Sequence, residues 1–166
     1  AWQSRRAYPL VVTQGDGNLG VKGKNFEMLF SIAGAGPASL KVNGTEWLWR
    51  APRPAFWRAS TDNDRGCGFP LRAAAWMAAD VFVTYNGMKV LEAGPDCVKV
   101  QFQFGIPTVP GASAELVYTV EAQGALRVDA VYHGVAGAPE LPCFGVKFET
   151  FGPVTRTVWT GLSGET

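Results

Sequence analysis

The sequence predicts an all-β fold of antiparallel strands, and two features of its 166 residues lead to that prediction. Apolar and polar residues alternate in many short segments, which places one side of a strand in a core and the other side in water. Turn-forming residues separate these segments at intervals of about 8–12 residues, a spacing typical of sandwiches and barrels. Helix-favouring stretches are rare. We therefore expect one sandwich-like domain over residues 1–166.

The first half of the chain contains strand-like segments and two Asn-Gly dipeptides. Residues 10–13 and 26–32 are apolar enough to form strands. Asn43-Gly44 and Asn86-Gly87 each lie between strand-like segments, and Asn-Gly is favoured in two-residue hairpin turns because both turn positions need a positive φ. We therefore predict a hairpin at each dipeptide.

One segment favours a helix. Residues 70–79 are rich in alanine and begin with Pro70, a residue well tolerated in the first helical turn. The sequence predicts a single short helix there, of about three turns.

The second half of the chain predicts paired strands. Residues 98–104 alternate between apolar and polar side chains, and residues 144–150 do the same. Residues 116–120 and 126–132 flank the turn-forming segment 121–125, so we expect a hairpin between them.

The charge and cysteine content exclude several classes of function. Lys and Arg number 15 against 14 Asp and Glu, so the chain lacks the basic surface of a nucleic-acid-binding protein. Its apolar runs are shorter than the roughly 20 residues of a membrane span. Cys67, Cys97 and Cys143 are widely spaced and odd in number, which argues against a zinc site or a disulfide framework. We expect reduced thiols in a cytoplasmic protein that binds neither nucleic acid nor membrane.

Residues 56–66 concentrate the polar chemistry of the chain. This segment combines aromatic, acidic, amide and guanidinium side chains, a mixture that predicts a strand end entering a hydrogen-bonded loop. Asp62 and Asp64 lie two positions apart, as in a site for a hard cation or the acid and base of a glycosidase. We favour a structural role, in which backbone N–H groups, Arg58 or Arg65 satisfy the two acids.

Histidine and tryptophan offer weaker candidates for a site. His133 lies at a predicted strand end, and we expect it to be exposed or hydrogen-bonded rather than catalytic, because a base also needs a nearby reacting partner. Tryptophans are able to stack on sugar rings, but in sandwiches they more often pack in the core or on the sheet. We expect packing of this kind for Trp47, Trp49, Trp57, Trp76 and Trp159.

Residues 54–66 resemble a hallmark of the β-galactosidases of glycoside hydrolase family two. In that family a Phe-Trp-Arg-Ala-Pro-Thr-Asp-Asn-Asp-x-Gly run opens the C-terminal small-chain domain, or domain 5, and Ser60 stands here in place of the proline. Residues 141–145 and 159–165 are similar to two later segments of the same domain, so the resemblance covers about residues 15–166. The matched residues of the hallmark include Phe56, Trp57, Arg58, Thr61, Asp62 and Asn63.

The resemblance implies a fold and a division of labour. The fold would be an antiparallel supersandwich related to the galactose-mutarotase-like fold, of which this chain supplies the N-terminal portion. Retaining hydrolysis of terminal β-D-galactosides such as lactose would use an acid/base carboxyl and a carboxylate nucleophile on a separate catalytic barrel. We therefore expect no catalytic residue, metal ligand or cofactor in this chain, and any Mg or Na of the parent enzyme would lie on its other domains.

The resemblance also implies a substrate-site loop and a set of partners. The loop lies near the active-site mouth and moves when substrate binds, and it corresponds here to Asp64, Arg65, Gly66, Cys67, Gly68 and Phe69. The expected partners are the rest of the β-galactosidase with its barrel, the galactoside through the parent enzyme, and further copies in a homo-oligomer. A free-standing carbohydrate-binding sandwich with exposed tryptophans remains the alternative.

Overall fold

The computed structural model describes residues 8–152, 154–158 and 160–161. Within them the predicted all-β fold is confirmed: antiparallel strands form three sheets, accompanied by three short helices. The first sheet has five strands that lie in chain order. These strands are β1 (Val11–Gln14), β2 (Asn18–Lys22), β3 (Phe26–Ser31), β4 (Gly36–Val42) and β5 (Thr45–Glu46).

The other two sheets use the rest of the chain. A four-stranded meander in the order β10-β9-β8-β7 comprises β7 (Thr84–Ala93), β8 (Cys97–Gly105), β9 (Ser113–Glu121) and β10 (Leu126–His133). The third sheet pairs β6 (Leu48–Ala55) with β11 (Gly145–Thr150). The helices, which lie between β6 and β7, are α1 (Asp62–Gly66), α2 (Phe69–Arg72) and α3 (Ala74–Phe82).

The two larger sheets pack against each other around one apolar core. The alternation predicted for residues 98–104 is confirmed, since Val98, Val100 and Phe102 are fully buried while the residues between them are not. The ring of Phe30 on β3 lies 6.1 Å from that of Phe102, measured between centroids, and 5.8 Å from that of Tyr118. Burial of these alternating faces is the main force that closes the sandwich.

One of the two predicted Asn-Gly hairpins is confirmed and the other is wrong. Asn43 and Gly44 have φ values of 50° and 79° and connect β4 to β5. Asn86 and Gly87 instead lie inside β7, where the pairing register shifts between Tyr85 and Gly87 and Gly87 has a φ of 151°. The unusual backbone geometry of the second dipeptide serves a β-bulge, because β8 continues alongside it and pairs with both halves of β7.

The predicted helix at residues 70–79 is present but differs in extent. It is divided at Ala73 into α2 and α3, and α3 continues to Phe82. Pro70 lies in the first turn of α2, where its missing N–H costs no hydrogen bond. The helices in the described ranges are all too short or too polar to cross a membrane.

Candidate functional site

The loop predicted at residues 62–66 forms a short helix, so that prediction is corrected. Thr61 precedes α1, and its Oγ1 accepts a hydrogen bond of 3.2 Å from the backbone N–H of Asp64. The Asp64 carboxylate in turn accepts from the backbone N–H of Thr61 at 2.8 Å. These reciprocal bonds form a capping box, which satisfies two backbone donors at the start of a helix. The Thr-x-x-Asp spacing of residues 61–64 is the sequence pattern that indicates a helix start at this position.

Arg58 holds Asp64 from the strand side of the loop. Its Nη1 lies 2.6 Å from Oδ2 of Asp64 and its Nη2 lies 3.2 Å from Oδ1, so the pair is bidentate. The same guanidinium donates to the carbonyl of Ala59 at 3.2 Å. The Arg58 guanidinium, together with the N–H and hydroxyl of Thr61, holds the pKa of Asp64 well below its usual range. Asp64 is therefore an ionised, fully engaged acceptor.

The second acid of the loop is paired in a different way. Asp62 accepts from Arg65 one turn later on α1, and both side chains are largely exposed. An exposed pair of this kind contributes little to stability. Asn63 between the two acids is also exposed. These contacts pair Asp62 with Arg65 and Asp64 with Arg58, as expected, and the structural role of the two acids stays a prediction.

The distal part of the loop turns sharply after α1. Cys67 ends the helix with its N–H donating to the carbonyl of Asn63 at 3.0 Å, and its own carbonyl accepts from Arg72. Gly68 takes the left-handed conformation with φ 69°, which directs the chain into α2. Phe69 is buried, so residues 64–69 are anchored at both ends while their middle is exposed. Gly66 remains within α1.

An aromatic cluster fixes the start of the loop. Phe56 is fully buried, and its ring centroid lies 5.7 Å from that of Trp76, 6.3 Å from that of Tyr132 and 5.8 Å from that of Phe144. The cluster joins the residue that follows β6 to α3, to β10 and to the residue that precedes β11. Trp57 is partly buried and packs against the apolar core, as predicted.

Asp80 on α3 holds the backbone at the start of the loop, a contact that the sequence did not predict. Its Oδ1 accepts a hydrogen bond of 2.6 Å from the backbone N–H of Phe56. Burial and the nearby Asp80 raise the pKa of the Cys143 thiol, which lies in the same region. The one indication in the sequence was a single acid at the end of an otherwise apolar helix, and such an acid is usually exposed.

The remaining candidates separate into buried and exposed groups. His133 is exposed, as expected, with its Nε2 3.2 Å from a Glu115 carboxylate oxygen. Trp76 packs in the core as predicted. Trp47 and Trp49 lie outside the core, with exposed fractions of 52% and 57%, because Leu48 between them takes the buried side. Trp49 packs on the sheet surface instead, edge to face against Phe151 with ring centroids 4.8 Å apart. Trp159 lies outside the described residues.

Residues 56–69 form a charged surface segment whose two ends are fixed, by the buried Phe56 and by the buried Phe69.

The described residues offer neither a disulfide nor a metal site. All three cysteines are unpaired. Within the described part of the chain, no group of three or more His, Cys, Asp or Glu side chains is placed to hold a metal ion. The loop acids accept hydrogen bonds from neighbouring arginines rather than facing one another across a cleft.

Comparisons with known proteins relate the chain to one group of enzymes. A family model described as beta galactosidase small chain matches residues 22–166. The chain is 43% identical over 176 residues to the beta-galactosidase small subunit of Latilactobacillus sakei. It is 35% identical over 154 residues to the beta-galactosidase of Clostridium acetobutylicum and 35% identical over 157 residues to that of Streptococcus thermophilus.

These alignments span most of the chain and only part of each relative. They cover 95%, 93% and 95% of this chain, and 55%, 17% and 15% of the three relatives in the same order. The chain therefore spans about half the length of the small subunit and a much smaller share of the two longer proteins.

Proposed function

We propose that this chain, which belongs to the beta-galactosidase small chain family, is a non-catalytic part of a β-galactosidase. The parent enzyme would be a member of glycoside hydrolase family two and would hydrolyse terminal β-D-galactosides such as lactose with retention of configuration. Its two reactive carboxyls would lie on a catalytic barrel outside this chain. The names of the relatives support the activity.

The bidentate ion pair between Asp64 and Arg58 is the main observation that supports a non-catalytic role for this chain. A retaining glycosidase needs a protonated carboxyl and a free carboxylate about 5–5.5 Å apart, on either side of the scissile bond. Asp64 has a lowered pKa and so has no proton to donate at neutral pH, and both of its oxygens are engaged. Asp62 is exposed on the helix surface beside Arg65. Neither acid is placed for the chemistry.

The loop formed by residues 64–69 would shape the mouth of the sugar pocket in the assembled enzyme. Its exposed middle presents Arg65 and Cys67, while Arg58 holds one end and the buried Phe69 holds the other. Such an arrangement permits the centre to move on a fixed base, and Gly68 already takes a conformation that other residues disfavour. We assign the loop a substrate-positioning role.

We also propose a domain extent, an assembly and a cellular location for this chain. Residues 1–166 would form a single domain, the N-terminal portion of domain 5, within a homo-oligomeric enzyme. The unpaired state of Cys67, Cys97 and Cys143 supports a cytoplasmic location, where thiols stay reduced.

An assay of the chain with and without the rest of the enzyme tests this function. The isolated chain should not hydrolyse a nitrophenyl β-galactoside, and the assembled enzyme should do so with retention of configuration at the anomeric carbon. Hydrolysis by the purified chain alone, at a rate that survives further purification, would show that the non-catalytic assignment is wrong.

A carbohydrate-binding module is the second candidate, and the exposure of Trp47 and Trp49 favours it. Calorimetric titration with galactose and lactose separates the candidates. A Kd below about 1 mM, equivalent to about 4 kcal/mol, that is lost in Trp49→Ala would favour the module. Absence of binding to the isolated chain would favour the dependent domain.

A further inference from the structure

Arg72 at the end of α2 reaches back to the end of α1. Its Nη1 donates a hydrogen bond to the backbone carbonyl of Cys67, and its Nη2 lies 3.9 Å from Sγ of the same residue. Cys67 is the C-cap of α1. The last carbonyls of a helix lack partners within it, and a nearby arginine is one of the groups that satisfy them. Arg72 therefore joins the end of α1 to α2 across Gly68.

Packing does not hold α1 in place. The helix has five residues, and none of them is buried. A Cβ added at Gly66 would meet nothing within 4 Å, so the space beside this turn is open. The ion pair between Asp62 and Arg65 lies within the helix and ties it to no other element. The position of α1 therefore depends on polar contacts at its two ends.

Different arginines hold the two ends of α1. Arg58, which precedes the helix, binds Asp64 through two hydrogen bonds, and the Asp64 side chain is only 16% exposed. Arg72, which follows the helix, binds the carbonyl of Cys67, and both of these residues are exposed. Because water competes for exposed donors and acceptors, the Arg72 contact opens more easily than the Arg58 contact.

Gly68 provides a pivot beside the Arg72 contact. It takes the left-handed conformation, with φ 69°, and it separates α1 from the buried Phe69. Glycine adopts left-handed and right-handed backbone conformations with similar ease. When the Arg72 contact opens, α1 is therefore free to turn about Gly68 while Phe69 stays in the core.

We propose that Arg72 is a positioning residue for the substrate, which latches α1 in the conformation that the sugar pocket requires. This inference rests on the proposed function, in which the loop of residues 64–69 shapes the mouth of that pocket. Arg72 acts through the backbone of Cys67 and needs no contact with the sugar. Without the latch the loop spends less time in the competent conformation, and the apparent affinity for substrate falls in the same proportion.

Hydrogen exchange in the assembled enzyme tests the latch directly. The N–H groups of Cys67 and Gly68 donate to carbonyls within α1 at 3.0 and 3.2 Å, and these bonds must open before exchange occurs. Peptides that cover residues 65–68 should exchange at least about threefold faster in Arg72→Ala than in the wild type, with Arg72→Lys between them. Equal exchange in the wild type and Arg72→Ala would overturn the latch.

Steady-state kinetics test whether the latch positions the substrate. For a nitrophenyl β-galactoside, KM should rise about fivefold in Arg72→Ala and kcat should change less than about twofold, because saturating substrate restores the competent conformation. Arg72→Lys keeps a donor and should recover part of the change in KM. Arg127→Ala, which breaks an exposed ion pair on β10, is the control and should keep both wild-type values. An unchanged KM in Arg72→Ala would overturn the positioning role, and so would a fall in kcat alone.

A general role in stability would give a different result. Arg72 is exposed and α1 buries no side chain, so Arg72→Ala should keep the wild-type melting temperature. Exchange in residues 98–104, which belong to the buried strand β8, should also stay as slow as in the wild type. A lower melting temperature together with faster exchange in β8 would show that Arg72 supports the whole fold, which would overturn the proposal.

The latch and the proposed function fail separately. An active enzyme in which exchange at residues 65–68 is unaffected by Arg72→Ala would overturn the latch and leave the proposed function intact. An assembled protein that does not hydrolyse the galactoside would overturn the proposed function, and the exchange measurement would still decide whether Arg72 holds α1.

Discussion

The backbone N–H of Phe56 donates a 2.6 Å hydrogen bond to the carboxylate of Asp80, which lies 24 residues later on α3. This contact ties the first residue of the loop motif to the helix that follows it. Phe56 also packs its ring against Trp76 on the same helix. The base of the loop is thus fixed by one polar contact and one aromatic contact to α3.

Removal of the Asp80 acceptor should destabilise the chain. Asp80→Ala leaves the N–H of the fully buried Phe56 without a partner, at a cost of about 1–3 kcal/mol. Asp80→Asn keeps an acceptor oxygen and should cost less. Urea denaturation measures both effects, with Asp62→Ala as an exposed control expected to change stability by less than about 0.5 kcal/mol. Equal stabilities of the Asp80 and Asp62 variants would show that the Phe56 contact is dispensable.

Gly68→Ala should be destabilising through the backbone alone. The left-handed conformation at φ 69° costs a non-glycine residue about 1–2 kcal/mol. An added Cβ would lie 3.8 Å from Nη1 of Arg72, an ordinary contact that adds no clash. Gly17→Ala is the matched control, since its φ is unexceptional and its added Cβ meets nothing within 4 Å. Thermal unfolding should separate the two variants, and identical melting temperatures would exclude strain at position 68.

The Arg58–Asp64 pair should make stability depend on acid pH. The pKa of Asp64 is lower in the folded chain than in the unfolded chain, where it is about 3.9. The ionised pair therefore contributes fully above that value, and its contribution is lost as the pH falls towards the folded pKa. The unfolding free energies of the wild type and Asp64→Asn should differ most near neutral pH, and the difference should shrink as the pH falls below about 4 towards the folded pKa.

An exposed acid provides the comparison for this pH profile. Asp62→Asn alters the neighbouring ion pair with Arg65 on the same helix. Urea denaturation at a series of pH values should show a much smaller pH-dependent difference for this variant. If Asp64→Asn and the wild type keep a constant difference across the acid range, the pair does not contribute in the way described.

The loop should influence turnover in the assembled enzyme, although the chain supplies no catalytic residue. Arg58→Ala releases Asp64 and the start of α1, so the position of residues 64–69 should become less well defined. We expect kcat/KM for a nitrophenyl β-galactoside to fall by about 10- to 100-fold, the range associated with small misplacements near a reacting centre. Arg127→Ala breaks an exposed ion pair with Asp129 on β10 and is the matched control. Equal activities of the two variants would remove the loop from substrate positioning.

Local sequence patterns predicted the strands and much of the loop chemistry. The alternation in residues 98–104 identified a buried face correctly, because the side chains of a strand point to its two sides in turn. Asn43-Gly44 identified a hairpin, because the left-handed conformation is a property of the two residues themselves. The pairing of Asp62 and Asp64 with nearby arginines followed from their short separation in the chain.

The tertiary structure decided what local patterns leave open. Asn86-Gly87 forms a bulge because β8 continues past it, and a dipeptide carries no information about the length of its neighbour. Asp80 meets Phe56 only through the folding of α3 against β6.

The amino-acid sequence by itself determined that this chain has an all-β fold and that Asp62 and Asp64 pair with nearby arginines. Only the tertiary structure decided that Trp47 and Trp49 face outward while Leu48 between them is buried. The physical reason is that alternation along a strand separates two faces without naming the one that is buried. Burial depends on which other layers of the molecule lie against each face.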